Sequence, residues 1–282
     1  MKYIEVEITI DDKDTFHDLL IDQLGNEGPY ESFVDTPNGL KAYVPADKYE
    51  PEYLRTVAEA FPLPLKYHVS EMEDRDWNAE WEKDYADVVV ESANGRVHVR
   101  APFHPSRHDV DYEVVISPKM SFGTAHHPTT YMMVSYVCEA NMTGKTVLDM
   151  GCGTAVLAIL ASMRGAAKVE GIDIDSWAYE NAIENARTNQ ANITILQGDA
   201  SAIDGHFDMI LANINRNILL ADMSTYARCL NEGGRLVVSG FFDTDADALN
   251  TCAKELGLTP LSTKTRQHWC AIEYVMQAKH KA

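Results

Sequence analysis

Asp149-Met150-Gly151-Cys152-Gly153-Thr154-Ala155 is the stretch that decides the fold of this chain. It follows a largely apolar run, Lys145–Leu148, and precedes a helical run, Val156–Met163. A second strand-like segment, Val169-Glu170-Gly171-Ile172-Asp173, ends in an acid 22 residues after Gly151. Strand, glycine turn, helix, strand, acid is the order that holds a nucleoside ligand at the switch point of an open α/β sheet. The glycines let the backbone approach the ligand, and the acid accepts hydrogen bonds from ribose hydroxyls.

Spacing separates the candidate cofactors. A dinucleotide fingerprint, G-x-G-x-x-G/A, would place its third small residue at Val156, whereas here the small residue is Ala155. An acid, Asp149, also stands two residues before the first glycine. The segment resembles motif I of the class I S-adenosylmethionine-dependent methyltransferases, D-x-G-x-G-x-G, with Ala155 in place of the last glycine. A nicotinamide cofactor, or a glycine turn with no ligand, remains the alternative at this point.

Working outward, repeated β-α units from about Val88 to the C-terminus predict a largely parallel, doubly wound sheet. Strands are expected at Thr146–Met150, Lys168–Asp173, Ile193–Gln197, Phe207–Ile214 and Arg235–Gly240. Helices are expected between them, and two strand-like ends, Leu258–Lys264 and Cys270–Met276, close the chain.

The N-terminal part reads differently. Lys2–Ile10 alternates apolar and polar residues, as a half-buried strand does. Asp11 and Asp12 can cap a helix to about Leu24, and Asp47 can cap a second helix through Ala60. Between them, Glu31–Asp35 and Leu40–Val44 flank Asn38-Gly39, a hairpin signal. Leu63–Val69 gives a last strand. The order β-α-β-β-α-β is that of a ferredoxin-like unit. The expected organisation is therefore a ferredoxin-like α+β domain over residues 1–70, serving substrate recognition, a linker helix over 71–87 carrying Trp77 and Trp81, and an α/β, Rossmann-like domain over 88–282.

Composition narrows the function. The chain has 282 residues and a net charge of -19. Residues 1–87 hold 22 acidic and 8 basic side chains, a balance of -14. Such a surface repels a nucleic-acid backbone and attracts a basic partner. No run of 18 apolar residues exists, so no transmembrane helix is expected, and Met1–Ile10 lacks a signal-peptide pattern. Five scattered cysteines without a C-x-x-C argue against zinc and disulfides and suit a reducing, cytoplasmic setting.

Three segments together resemble one family. Ser121-Phe122-Gly123-Thr124-Ala125-His126-His127-Pro128-Thr129-Thr130 is similar to the F-G-T-G-x-H-P-T-T signature of the ribosomal protein L11 methyltransferase family (PrmA). Leu148–Ile159 is similar to its L-D-x-G-C-G-S-G-x-L-A-I, and Leu211-Ala212-Asn213-Ile214 to its A-N-I segment. The acidic front domain, the tryptophan-bearing linker and Trp269-Cys270 also fall where that family has comparable features. The resemblance implies a class I fold and transfer of methyl groups from S-adenosyl-L-methionine to lysine side chains and the N-terminal amine of L11, a basic ribosomal protein. No direct nucleic-acid binding and no membrane are expected, from the acidic charge and the lack of a long apolar run. Ala125 and Ala155 replace family glycines, Thr154 replaces a serine, and Asn215-Arg216-Asn217 departs after the A-N-I. Alanine tolerates positive φ poorly, so either both turns use negative φ or the cofactor loop is altered.

The site residues follow. Gly151 and Gly153 are expected to line the cofactor's methionine end and Asp173 to take the ribose hydroxyls. Asp175 is the rival acid if the strand end is misplaced. Asp149 is expected to hold the loop and face the cofactor's ammonium group through water, or only to cap a helix, and Asp199 to meet the adenine amine or only make a turn. By resemblance, Thr130 and Asn213 contact the cofactor, and Asn213 is the catalytic candidate whose carbonyl orients an incoming amine. His126 and His127 lack a third ligand at suitable spacing, so no metal is expected. A base role for either histidine stays open, as does an apolar wall from Phe122. Other protein, RNA or small-molecule substrates, and a non-catalytic cofactor-binding role, are the competing readings.

Overall fold

The alternation in Lys2–Ile10 becomes β1, Tyr3–Thr9, with Ile4, Val6 and Ile8 buried. The computed structural model describes residues 3–10, 13–26, 28–71, 86–117 and 123–277. The chain divides into two compact units, Met1–Asp84 and Tyr85–Ala282. That division falls inside the expected linker. Glu71 closes a strand, and residues 72–85, with Trp77 and Trp81, lie outside the described residues.

The first unit follows the expected order. After β1 come α1 (Lys13–Ile21, continuing as a π turn to Asn26), β2 (Ser32–Thr36), β3 (Gly39–Pro45), α2 (Pro51–Ala60) and β4 (Lys66–Glu71). The sheet order is β2-β3-β1-β4, antiparallel throughout, as in a ferredoxin-like fold. Leu20 and Leu24 on the first helical segment and Leu54 on α2 join the strands' apolar face in one core. The proposed caps Asp11 and Asp12 lie outside the described residues. Several boundaries differ from expectation, β4 among them, which starts at Lys66 and not at Leu63. Helix α2 begins at Pro51 behind Glu50, not at Asp47, because proline's fixed φ suits the first helical position. The hairpin turn is Pro37-Asn38, since Thr36 pairs with Gly39. Gly39 is there for space: a Cβ on it would run into the Ile8 carbonyl.

In the second unit, β5 (Val88–Ser92), β6 (Gly95–Arg100) and β7 (Tyr112–Val115) form a separate three-stranded sheet. Helix α3 (Pro128–Glu139) follows, buried along most of its length. The main sheet then builds from β8 (Thr146–Met150), α4 (Val156–Met163), β9 (Lys168–Asp173), α5 (Ser176–Thr188) and β10 (Thr194–Gln197). It continues with β11 (Phe207–Asn213), α6 (Arg216–Cys229), β12 (Leu230–Phe242), α7 (Ala246–Glu255), β13 (Leu258–Arg266) and β14 (Trp269–Met276).

The strand order is β10-β9-β8-β11-β12-β14-β13, with the first five parallel and the last two forming an antiparallel hairpin. Both faces are covered, as a parallel sheet requires. Val147 and Leu211 pack in the layer that holds α3 and α4. Leu148, Ile210 and Ala212 pack in the layer that holds α6 and α7. After β8 the chain winds out to β9 and β10 on one side, then returns to β11 on the other. The crevice this opens lies over the carboxyl end of β8, where such sheets bind ligands. Among the described residues no helix is long and apolar enough to cross a membrane.

Candidate active site

The turn after β8 is shaped by left-handed backbone. Gly151 has φ 67°, Gly153 φ 54° and Ala155 φ 62°. Ala125 also sits at φ 65°. Both alanines therefore keep the glycine-like conformation; the negative-φ alternative does not occur. Gly151 has a second constraint, because a Cβ there would collide with the Ile214 side chain.

The acids hold this turn in place. The Gly151 and Cys152 amides donate to the Ile172 carbonyl at 2.8 and 3.1 Å. The Gly153 amide donates to Asp173 Oδ2 at 2.8 Å, and Asp173 Oδ1 accepts from the Asp175 amide at 3.0 Å. An ionised carboxylate has about four acceptor sites, so Asp173 keeps capacity for further donors. Asp149 is buried, and its Oδ2 accepts from the Ala158 amide at 3.1 Å, capping α4 where Ala155 offers no side-chain cap. Of the two roles considered for Asp149, the structure displays the cap. Burial pushes its carboxyl up to about 8, reinforced by the nearby Asp173 charge. Burial likewise pushes the Cys152 thiol well above its ordinary value, which leaves it unreactive.

The second component comes from distant sequence. Thr130, in the first turn of α3, is 1% exposed. Asn213 ends β11. Its Nδ2 donates to Thr130 Oγ1 at 3.2 Å, across 83 residues of sequence. Its Oδ1 is buried with no hydrogen-bond partner among the described residues. A buried amide oxygen left unsatisfied is costly unless water or a ligand donates to it.

These pieces meet at a cavity of about 620 Å³. Gly151, Gly153, Asp173 and Asn213 line it, together with Asp175, Asp199 and Asp222. Ile174, Trp177, Ile214 and Ile218 supply its apolar surface. Trp177 is 75% exposed and Ile174 71%, unusual for side chains of that size. Sequence reading missed these four apolar residues and Asp222. The one available signal was an isoleucine between two aspartates, followed by a tryptophan at the start of a helix.

Other candidates take local roles. Asp175 caps α5 by accepting from the Trp177 and Ala178 amides. Asp199 accepts from the Ser201 amide and hydroxyl, which lower its carboxyl pKa. His126 Nε2 donates to the Ala86 carbonyl at 2.8 Å. His127 caps α3, accepting from the Thr129 amide, and its ring lies 4.6 Å from that of Trp269. Burial holds His127 below its ordinary value. Neither histidine joins a group of three or more metal-ligating side chains among the described residues. Phe122 lies outside the described residues.

Comparison with known proteins agrees with this architecture. The family model for ribosomal protein L11 methyltransferase (PrmA) matches residues 5–277. A ribosomal protein L11 methyltransferase of Phocaeicola vulgatus is 41% identical over 284 residues, covering 98% of this chain and 100% of its own. One from Porphyromonas gingivalis is 43% identical, covering 95% and 92%. The crystal structure of a ribosomal protein L11 methylase from Lactobacillus delbrueckii superposes with a TM-score of 0.60 at 26% identity, covering 67% of this chain and 99% of that one. The chain belongs to the ribosomal protein L11 methyltransferase family and is a methyltransferase.

Proposed function

We propose that this member of the ribosomal protein L11 methyltransferase family transfers methyl groups from S-adenosyl-L-methionine to amines of ribosomal protein L11, at lysine side chains and the N-terminus. The observation that carries this reading is the partnerless Oδ1 of Asn213, set beside the glycine turn and held by Thr130.

The residues fit such a donor. Gly151 and Gly153 line the cavity where the amino-acid end of the cofactor would sit, Asp173 has open acceptor sites for ribose hydroxyls, and Thr130 and Asn213 flank the reactive end. Ile174 and Trp177 offer apolar cover for a purine ring. The bound cofactor supplies an electrophilic sulfonium methyl. The chain's part is to prepare the nucleophile. A lysine amine is ordinarily protonated, with a pKa of about 10.4, and must shed that proton to attack. Leaving water for a confined site disfavours the ammonium form. The Asn213 carbonyl then accepts one N–H of the neutral amine and points its lone pair along the line of attack. Fixing such a geometry lowers a barrier by roughly 7–11 kcal/mol. No covalent enzyme intermediate is required.

The acidic N-terminal unit suits recognition of a basic ribosomal protein, as opposite charges favour encounter. Five free cysteines suit a cytoplasmic setting. The test is incubation with methyl-labelled S-adenosyl-L-methionine and ribosomal proteins from cells lacking endogenous L11 methylation. Label on L11 at lysines or its N-terminus supports the proposal. Label on other bands would keep the methyltransferase and discard this substrate.

A further inference from the structure

Edge strand β13 lies along α3, and alternate side chains of the strand meet the helix. The Ser262 hydroxyl donates to Tyr136 Oη at 3.1 Å. The Lys264 ammonium donates to Ser135 Oγ at 2.6 Å and pairs with the Glu139 carboxylate at 2.7 Å, 4.5 Å from the Tyr136 ring centroid. Arg266, the third rung, is different. Its guanidinium carbon lies over the Tyr131 ring, 3.8 Å from the centroid, and among the described residues it makes no hydrogen bond and no ion pair. The Glu91 amide donates to Tyr131 Oη, which brings Glu91 to the same ring, but its carboxylate is held by Arg96 at 2.9 Å.

Around this guanidinium is a groove of about 320 Å³ lined by Tyr131, Met132, Ser135, Lys264, Thr265 and Arg266. Its place matters. Tyr131 follows Thr130 in the first turn of α3. Arg266 pairs across the β13–β14 hairpin with Trp269, whose ring contacts His127 at the start of the same turn. The groove thus borders the turn that carries Thr130.

We propose that Arg266, laid on Tyr131, is a receptor for one carboxylate carried by the substrate protein beside its target amine. The proposal rests on the methyl-transfer reading of the Thr130–Asn213 corner. A guanidinium presents its donors as a planar fork that matches a carboxylate two bonds at a time. The cation–π contact with the ring restrains the guanidinium before binding, which reduces the ordering cost. Lys264 already has its counter-charge in Glu139, so the groove has capacity for a single negative group. A chain of net charge -19 repels a polyanion, which favours an acidic side chain over a nucleic-acid backbone.

Two measurements on the full chain test this. In the first, side-chain nitrogen NMR follows the Arg266 Nε–Hε resonance, assigned by its loss in Arg266→Lys, during titration with N-acetylglutamate amide. A saturable shift, absent with N-acetylglutamine amide, supports the site. No shift, or a larger shift at lower concentration with a uridine oligonucleotide, would overturn it. In the second, Arg266→Ala raises KM for L11 about tenfold, the worth of one charge-assisted pair. Both kcat and cofactor affinity stay put, and the KM excess shrinks at about 0.5 M salt. An unchanged KM, or a fall in kcat with KM constant, contradicts the proposal. If the wild-type chain fails to methylate L11, the methyl-transfer reading fails by itself, and the titration still decides the carboxylate site.

Discussion

The glycine turn after β8 and the Asn213 corner face the same cavity, yet they are finished differently. In the turn, the amides of Gly151, Cys152 and Gly153 all find acceptors inside the chain, and Asp149 caps the helix that follows. At the corner, Asn213 satisfies its amide nitrogen through Thr130 and leaves its oxygen without a partner among the described residues. The turn is complete before any ligand arrives, as pre-organised binding requires. The corner is one hydrogen bond short, and a substrate amine can supply that bond. The proposed function assigns binding to the turn and alignment to the corner, and substitutions can separate the two.

The largest effect is expected at Gly151. A side chain at φ 67° costs roughly 1–2 kcal/mol, and crowding Ile214 adds about 1–3. Gly151→Ala should therefore lower cofactor affinity on the order of 100-fold in a calorimetric titration. Unchanged affinity would break the claim that the turn is the binding half.

A moderate effect concerns pH. The Asp149 carboxyl is pushed up to about 8 in the fold from an ordinary 3.8. The folded state then holds the proton more tightly than the unfolded state. Its contribution is fully present below about pH 4 and is lost as pH rises through about 8. Asp149→Asn keeps an acceptor for the Ala158 amide and removes this linkage. The variant's melting temperature should gain on the wild type between about pH 5 and 8 and hold a constant difference above that. A difference independent of pH would show that Asp149 is not buried as a neutral acid.

The smallest effect is expected at Ala155. Replacing it with glycine relieves about 1–2 kcal/mol of left-handed strain. It also loses a buried methyl, about 0.8 kcal/mol, and frees the unfolded chain by about 0.4–1. These nearly cancel, so Ala155→Gly should move the melting temperature by only a few degrees and leave cofactor affinity as it is. A large gain in affinity would mean that the family glycine is needed for binding after all.

Legibility in the sequence followed range. Elements set by local pattern were readable: the β1 alternation, the hairpin before Leu40, and the strand–turn–helix around Gly151. Asp173 was readable because a strand end and its spacing are local properties. What depends on distant packing was not. Nothing in residues 88–115 announces that β5–β7 leave the main sheet. The hydrogen bond from Asn213 to Thr130 spans 83 residues and reached the sequence reading only through family resemblance. The backbone at Ala125 and Ala155 was ambiguous, because alanine's preference opposes the φ that the turn imposes. The exposure of Ile174 and Trp177 runs against ordinary burial preference, as expected where a ligand is to cover them.

The most direct test of the division of labour is Asn213→Ala, measured twice on the same preparation. One measurement is cofactor affinity by calorimetry, and the other is single-turnover methyl transfer to L11 by intact-mass spectrometry. The account predicts transfer slowed by about 100-fold or more, the usual scale for losing one aligning or stabilising group, with affinity changed less than about tenfold. Transfer at the wild-type rate, or a loss explained entirely by weaker cofactor binding, would contradict it.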